Sequence, residues 1–223
     1  MIRAFFRDNG IALVFGSLFF GAIGFQAWAG WHVFNHDAEA HGSETIGLGR
    51  YLVSSHFGRA VLENWQSEWL QFLLFILVTM FFIQRGSPES EQEPLMRSTD
   101  KEERIGRYAE PGSPRWAKAG GWRTAVYSYS LLIAMTVVFV GSWFGQSVTG
   151  WTEYNDQQRD HDLPGVSWSE FVRTAEFWEQ TLQNWQSEFL AVGTLAIFSV
   201  FLRARHSAES KPVGAPHAET GVT

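Results

Sequence analysis

The sequence predicts an all-α integral membrane protein with four transmembrane helices as two parallel, same-orientation two-helix repeats. An interfacial amphipathic helix is expected before the second helix of at least the C-terminal repeat. Three observations lead there. The apolar residues gather in four blocks, the string Asn-Trp-Gln-Ser-Glu occurs at both 64–68 and 184–188, and the basic residues avoid two of the connecting segments. The mean hydropathy of −0.11 averages the blocks with polar connectors and so conceals them.

The first block, Ile11 to Ala29, holds no charge, and the third, Val126 to Val148, has only Ser, Thr, Tyr and Gln146 as conspicuous polar members. Each is long enough for the roughly 20 residues that cross about 30 Å of hydrocarbon. The second and fourth, Trp69 to Ile83 and Phe189 to Leu202, are 15 and 14 residues long. Arg85 and Arg203 fix one end of each, so the missing turns come from Leu62 to Glu68 and from Leu182 to Glu188. The repeated string is thereby drawn into the membrane boundary.

The register between the two strings holds without a gap well beyond them. It pairs Gln26 with Gln146, Trp31 with Trp151, Asn35 with Asn155, His41 with His161, Phe57 with Phe177 and Arg85 with Arg205. The chain therefore divides into a first two-helix repeat at 11–85, a mobile cytoplasmic linker at 86–121, a second repeat at 122–205 and a disordered cytoplasmic tail at 206–223. Ser, Glu, Pro and Gly dominate the linker. Two spans per unit give both units the same orientation. Of 17 Lys and Arg, only Arg50, Arg59, Arg159 and Arg173 fall in the two repeated loops, which places those loops outside and both termini in the cytoplasm. Met1-Ile-Arg, Arg7 and Ala27-Trp-Ala29 loosely fit a cleaved signal peptide. The mid-chain partner block and the matched Gln26 argue against that reading.

Before the fourth block, Pro164-Gly165 makes a turn and Ser167-x-x-Glu170 has the spacing of a capping box. Trp168, Phe171, Val172, Ala175, Trp178, Leu182, Trp185 and Phe189 then recur at a helical period, as an amphipathic helix on the outer leaflet would require. In the first repeat Leu48, Tyr51, Leu52 and Leu62 keep part of this stripe.

The candidate site is polar and lies at the outer boundary. It comprises Gln26, Asn64, Gln66 and Glu68 with Gln146, Asn184, Gln186 and Glu188. Asn and Glu four apart share a helix face, and a carboxylate so close to hydrocarbon needs water, a partner or a proton. Capping and the helix dipole explain each residue type separately, but not the unchanged repetition of the whole string. Secondary candidates are Asn35, His41, Asn155 and His161, and Trp31, Trp65, Trp151 and Trp185 are interface anchors. His32, His36 and His56 invite a metal reading, but the counterparts of His32 and His36 are Thr152 and Asp156 and the sequence has no Glu-x-x-His, so no metal and no cofactor is expected. Gly141-x-x-x-Gly145 and Ser17-x-x-x-Gly21 permit close helix contact, read as packing inside one chain.

The chain has no Cys, which removes disulfides, thiolate metal sites and Cys nucleophiles, and its net charge of −6 gives nucleic acid no footprint. No phosphate loop or Gly-x-Ser-x-Gly is present, so an enzyme is the less favoured class. The doubled string, with Gln-x-x-x-Gly-Trp-x-x-x-Asn before it, resembles a bacterial family of four-span membrane proteins that is a domain of unknown function. The resemblance covers nearly the whole repeat-bearing chain. It implies the bacterial inner membrane and carries over no catalytic residue.

The function expected is binding or conduction of a small cation or proton at a two-fold polar site. The alternative is a non-catalytic scaffold or accessory subunit that holds a partner protein or lipid through its outward Trp-rich helices, and a third class is a membrane enzyme using the carboxylates as acid and base. The partners expected are the lipid bilayer, then a second copy or a membrane-complex partner. At mid-depth the second span offers Gln71 and Thr79 where the fourth has Ala191 and Ser199, which weakens a through-path and keeps the scaffold close.

Overall fold

The computed structural model describes residues 2–90 and 99–221, and among these all regular structure is helical. The helices are α1 (Ile2–Asp8), α2 (Gly10–Ala40), α3 (Leu48–Leu52), α4 (Ser55–Phe81), α5 (Arg115–Ala119), α6 (Gly121–Ser128), α7 (Ser130–Asp160), α8 (Trp168–Phe171) and α9 (Ala175–Phe201). α2 and α7 each have 31 residues, about 46 Å at 1.5 Å per residue, and both are long and apolar enough to cross a membrane. α4 and α9 have 27 residues each, and neither holds a membrane-length stretch as apolar as those of α2 and α7. Both ends of α7 and of α9 fall at the positions that the register of the doubled string assigns to the ends of α2 and α4.

The loops after α2 and α7 are built alike. Each helix stops at a left-handed residue, Gly42 at φ 70° and Asp162 at φ 57°, and the chain returns extended along the helix it has left. Asn35 and Asn155 pin the return. Asn35 Nδ2 donates to Ile46 O at 2.9 Å and its Oδ1 accepts from Ile46 N at 2.8 Å; Asn155 does the same to Val166 at 3.0 and 2.8 Å. The indole N–H of Trp31 adds a bond to Ile46 O at 2.6 Å, and that of Trp151 one to Val166 O at 2.7 Å. One amide side chain thus satisfies both backbone groups of a loop residue that has no helix or sheet to do so.

The capping box at Ser167 forms as expected, with Ser167 Oγ accepting from Glu170 N and the Glu170 carboxylate accepting from Ser167 N at 2.7 Å. The Ser167 hydroxyl also donates to that carboxylate at 2.7 Å, and this bond, then the one from Ser167 N, holds the Glu170 carboxyl below its ordinary value. The amphipathic stripe at 168–189 is not one helix, however. α8 ends after Phe171, and Thr174 starts α9 by accepting from Phe177 N at 3.2 Å. Ser54 makes the same bond to Phe57 N at 3.2 Å ahead of α4. A hydroxyl that caps a new helix outcompetes continuation of the old one, and the apolar period runs on through the break.

The chain forms two compact units, one of residues up to Val61 with Val148–Val166, the other of Leu62–Ser147 with Ser167 onward. In the first, Tyr51 is buried among Phe34, His56 and Phe57, and its hydroxyl lies where a side chain on Gly30 would be. In the second, a Cβ on Gly145 would meet Leu62 Cδ1 at 2.9 Å, so this glycine of Gly141-x-x-x-Gly145 serves packing within the chain, while Gly141 faces open space. Trp143 fills the same interior, its ring centroid 5.7 Å from Phe139, 6.4 Å from Phe177, 6.1 Å from Trp178 and 5.5 Å from Trp185.

Of the linker expected to be mobile, 91–98 lie outside the described residues. Beyond them stand a 3-10 turn at Gly106–Tyr108, then α5 and α6, joined by the Thr124 hydroxyl donating to Trp116 O at 2.7 Å. The tail from 206, expected to lack structure, carries a set of hydrogen-bonded turns through 221.

Candidate functional site

The two copies of the repeated string touch. They lie on α4 and α9 within the second unit, and Trp185 Nε1 donates to Gln66 Oε1 at 2.7 Å. Gln66 is wholly buried, and its Nε2 donates to Glu63 O at 3.1 Å, so both ends of this amide are engaged. Asn184 Nδ2 donates to Glu63 Oε1 at 3.0 Å and to Gln180 O at 2.9 Å. The indole of Trp185 packs on Trp143 and Phe139, a low-dielectric setting in which such bonds strengthen.

Identical strings have different surroundings. Gln66 and Ser67 are buried while Gln186 and Ser187 are exposed, and Asn64 is exposed while Asn184 is half-buried. Trp185 supplies the donor and Gln66 the acceptor; Trp65, the counterpart of Trp185, is 37% exposed. Glu68 is exposed and Glu188 half-buried, and their carboxylates lie within electrostatic reach of one another. Gln146 is buried beside Ser142 and Ser147, whereas Gln26 is exposed and belongs to the other unit.

The secondary candidates fall in the first unit. Asn35 and Asn155 are the loop pins already described, and Trp31 and Trp151 commit their N–H groups to the same loops. His41 and His161 are exposed, with His41 Nδ1 at 2.9 Å from Asp37 O. Among the described residues no group of three or more His, Asp or Glu is placed to hold a metal ion.

Two sets of residues were not singled out by sequence. Glu63, which ties both strings together, directly precedes the first string and has Gln183 as its counterpart. It is the one charge at the string's edge that the repeat does not match, and that mismatch was the available signal. The other set is Arg59 and Glu153, an ion pair at 3.2 Å with side chains 20% and 18% exposed, next to Tyr51 and His56, whose hydroxyl and Nδ1 lie 3.4 Å apart. Burial, then the charge of Glu153, raise the Tyr51 hydroxyl above its ordinary value. Val33 and Glu179 occupy the counterpart positions, so nothing in the repeat pointed to this pair.

A family model described as Domain of unknown function (DUF6766) matches residues 2–222. Neither a curated protein nor a solved structure matches the chain.

Proposed function

The chain belongs to the DUF6766 family, a domain of unknown function, and we propose that it is a four-span inner-membrane protein whose paired carboxylates, Glu68 and Glu188, take up a proton or a small cation. In this reading α2, α4, α7 and α9 are the spans, the two repeats run in the same direction, and the repeated strings stand at the outer boundary. The observation that supports it is the approach of Glu68 to Glu188 on helices joined by the Trp185–Gln66 bond. Two carboxylates near hydrocarbon cannot both ionise cheaply without a counter-charge, so the pair has a reason to bind one. Gln66 and Asn184 act as the clamp that sets the spacing.

The test is a melting series of purified protein in Na⁺, K⁺, Ca²⁺, Mg²⁺ and Zn²⁺ and from about pH 4 to 8, with Glu68→Gln, Glu188→Gln and the double variant. A bound ion at a hundred times its Kd should stabilise wild type by about 2.7 kcal/mol. Each single variant should lose that response, and the double should be little worse, because the two groups act as one. A wild type indifferent to every ion and to pH would end the ion-binding reading.

A second reading has its own observation. Gln66, Asn184 and Trp185 are bonded to protein partners, as a structural clamp would need, and this favours a scaffold that presents Trp65 and the outward loops to lipid or a partner subunit. Indifference to ions, with strong dependence on the clamp, would select it.

Orientation is tested separately, since the chain has no native Cys. In intact cells Gln157→Cys should react with an impermeant thiol reagent and Lys101→Cys should not. Labelling at position 101 from outside would reverse the topology.

A further inference from the structure

Each long apolar helix is preceded by a short one, and the two pairs break at matched positions. α1 ends at Asp8 and α2 starts at Gly10; α6 ends at Ser128 and α7 starts at Ser130. The residue at each break accepts the first bond of the long helix, Asn9 O from Leu13 N at 3.0 Å and Tyr129 O from Ile133 N at 2.9 Å. Both short helices keep apolar side chains exposed beside a matched Arg, with Phe5 and Phe6 beside Arg3 on α1, and Trp122 and Val126 beside Arg123 on α6.

Only α6 has a second helix against it. Gly120 at φ 71° and Gly121 at φ 61° turn the chain between α5 and α6, a left-handed pair that glycine adopts without strain. The buried Thr124 side chain faces α5, where its hydroxyl holds Trp116 O. Trp122 and Val126, one turn apart, share another side of α6, and Trp122 is 67% exposed. Trp116 is exposed too, its ring centroid 5.8 Å from that of Trp122. The hairpin therefore turns two indoles outward.

Cations flank them. Arg115, Lys118 and Arg123 are exposed, and no Asp or Glu occurs from Pro111 to Thr152. The Arg123 guanidinium lies 5.7 Å from the centre of the Trp122 ring, and Lys118 Nζ donates to Pro111 O at 2.7 Å, which leaves its ammonium further N–H groups to give. Of the acids before this stretch, Glu110 is paired with Arg104 at 3.4 Å. Asp100 and Glu103 line a cavity with Gly121, Thr124, Ala125 and Ser128, along a side of α6 that holds neither Trp122 nor Arg123. The exposed cations thus have no carboxylate among them.

We propose that α5 and α6 form a docking surface for anionic phospholipid headgroups of the leaflet that α7 enters. The occupant follows from place and charge. α7 is long and apolar enough to cross a bilayer and starts two residues after α6, which sets the hairpin at headgroup depth, where an indole has apolar carbon on one side and water on the other. Arg115, Lys118 and Arg123 take the phosphates, while Trp116, Trp122 and Val126 seat among the glycerol and upper acyl carbons. On α1 the same plan is reduced, because Arg7 is paired with Asp8 at 2.8 Å and Arg3 is left as the cation for lipid. The inference rests on the reading of α7 as a span, and on neither its direction nor the Glu68–Glu188 pair.

A cation near an anionic surface contributes about fivefold in affinity, so three give about a hundredfold preference for anionic over zwitterionic lipid. The experiment is deuterium exchange of peptides covering 115–128 in the full-length protein, held in nanodiscs of phosphatidylcholine with or without phosphatidylglycerol. Exchange should be slower in the discs that contain phosphatidylglycerol, by up to about a hundredfold, and concentrated salt should erase the difference. Arg115→Gln, Lys118→Gln and Arg123→Gln should each shrink it about fivefold, and the triple variant should abolish it. Arg115→Lys with Arg123→Lys, which keeps the charge, should behave as wild type. Trp122→Ser should speed exchange in both discs, and Arg50→Gln with Arg173→Gln, which removes the same charge from the repeated loops, should leave the difference as it is. Equal exchange of wild type in the two discs, or a triple variant that keeps the difference, would overturn the docking surface alone. So would free glycerol phosphate slowing exchange as much as the anionic lipid does, since the occupant would then be a small anion. A chain recovered from cells without detergent would overturn the span reading together with it.

Discussion

Replacing Trp185 by Ala should destabilise the protein by about 3–5 kcal/mol, the range for removing a packed aromatic side chain. The same change strips Gln66 Oε1 of its donor in a wholly buried position, a loss of about 1–3 kcal/mol by itself. Trp185→Phe separates the two, because it keeps most of the packing on Trp143 and Phe139 and removes only the N–H. Its cost should therefore sit near the smaller figure, and Gln66→Leu made in the Phe background should recover part of it. Equilibrium unfolding in mixed micelles measures all three. An inert Trp185→Phe together with a Trp185→Ala cost below about 1 kcal/mol would mean that the two strings do not hold each other.

The second large effect is expected at Asn155. Asn155→Leu removes a donor and an acceptor from Val166, leaving a backbone N–H and a carbonyl to find water in a place where Gly165 already lies against the Asn155 side chain. Two lost bonds with their desolvation come to about 2–4 kcal/mol. Asn35→Leu makes the same deletion at Ile46, yet Asn35 is more exposed, so its cost should be the smaller of the two. Amide exchange at Val166 and Ile46 reads each loop directly. Equal protection in wild type and both variants would show that the asparagines do not hold the loops.

Much of the helical plan was legible because the spacing of the doubled string constrains the chain far beyond the string itself: the bounds of α7 and α9 follow from those of α2 and α4. The capping box at Ser167 was legible for a local reason, a fixed spacing with a fixed bond pattern. The break at Thr174 was not, since apolar periodicity reports which side faces inward and is blind to a hydroxyl that starts a helix anew. The doubled string marked residues that meet, Trp185 and Gln66, but not how they meet. Two identical strings carry no information about which Gln is buried, and that asymmetry arises from contacts with Glu63 and Trp143, whose counterparts are Gln183 and Ile23. Asn35 and Asn155 illustrate another limit. A matched pair marks a shared constraint, and here the bonds to Ile46 and Val166 meet it without a ligand. In the tail, Ser, Pro, Gly and Glu measure the shortage of apolar surface and say nothing of the Lys211 ammonium, which donates to the carbonyls of Pro216, His217 and Glu219.

Residues 86–90 are bonded by a segment made more than a hundred residues later, with Gly86 N donating to Thr220 Oγ1 and Gly221 N to Ser87 O, and that sets an order of events during biosynthesis. When the first hairpin leaves the ribosome, its turn has no partner for the Gly86 N–H or the Ser87 carbonyl, and more than a hundred residues are still to be made. At about 5–20 residues per second the wait is on the order of ten seconds. Closure can come only once Gly221 has left the ribosome and can reach Ser87. A nascent chain stalled before Thr220 would hold every helix described and still leave that turn open, so loss of residues 220–221 is a lesion of the first hairpin, far from it in the gene.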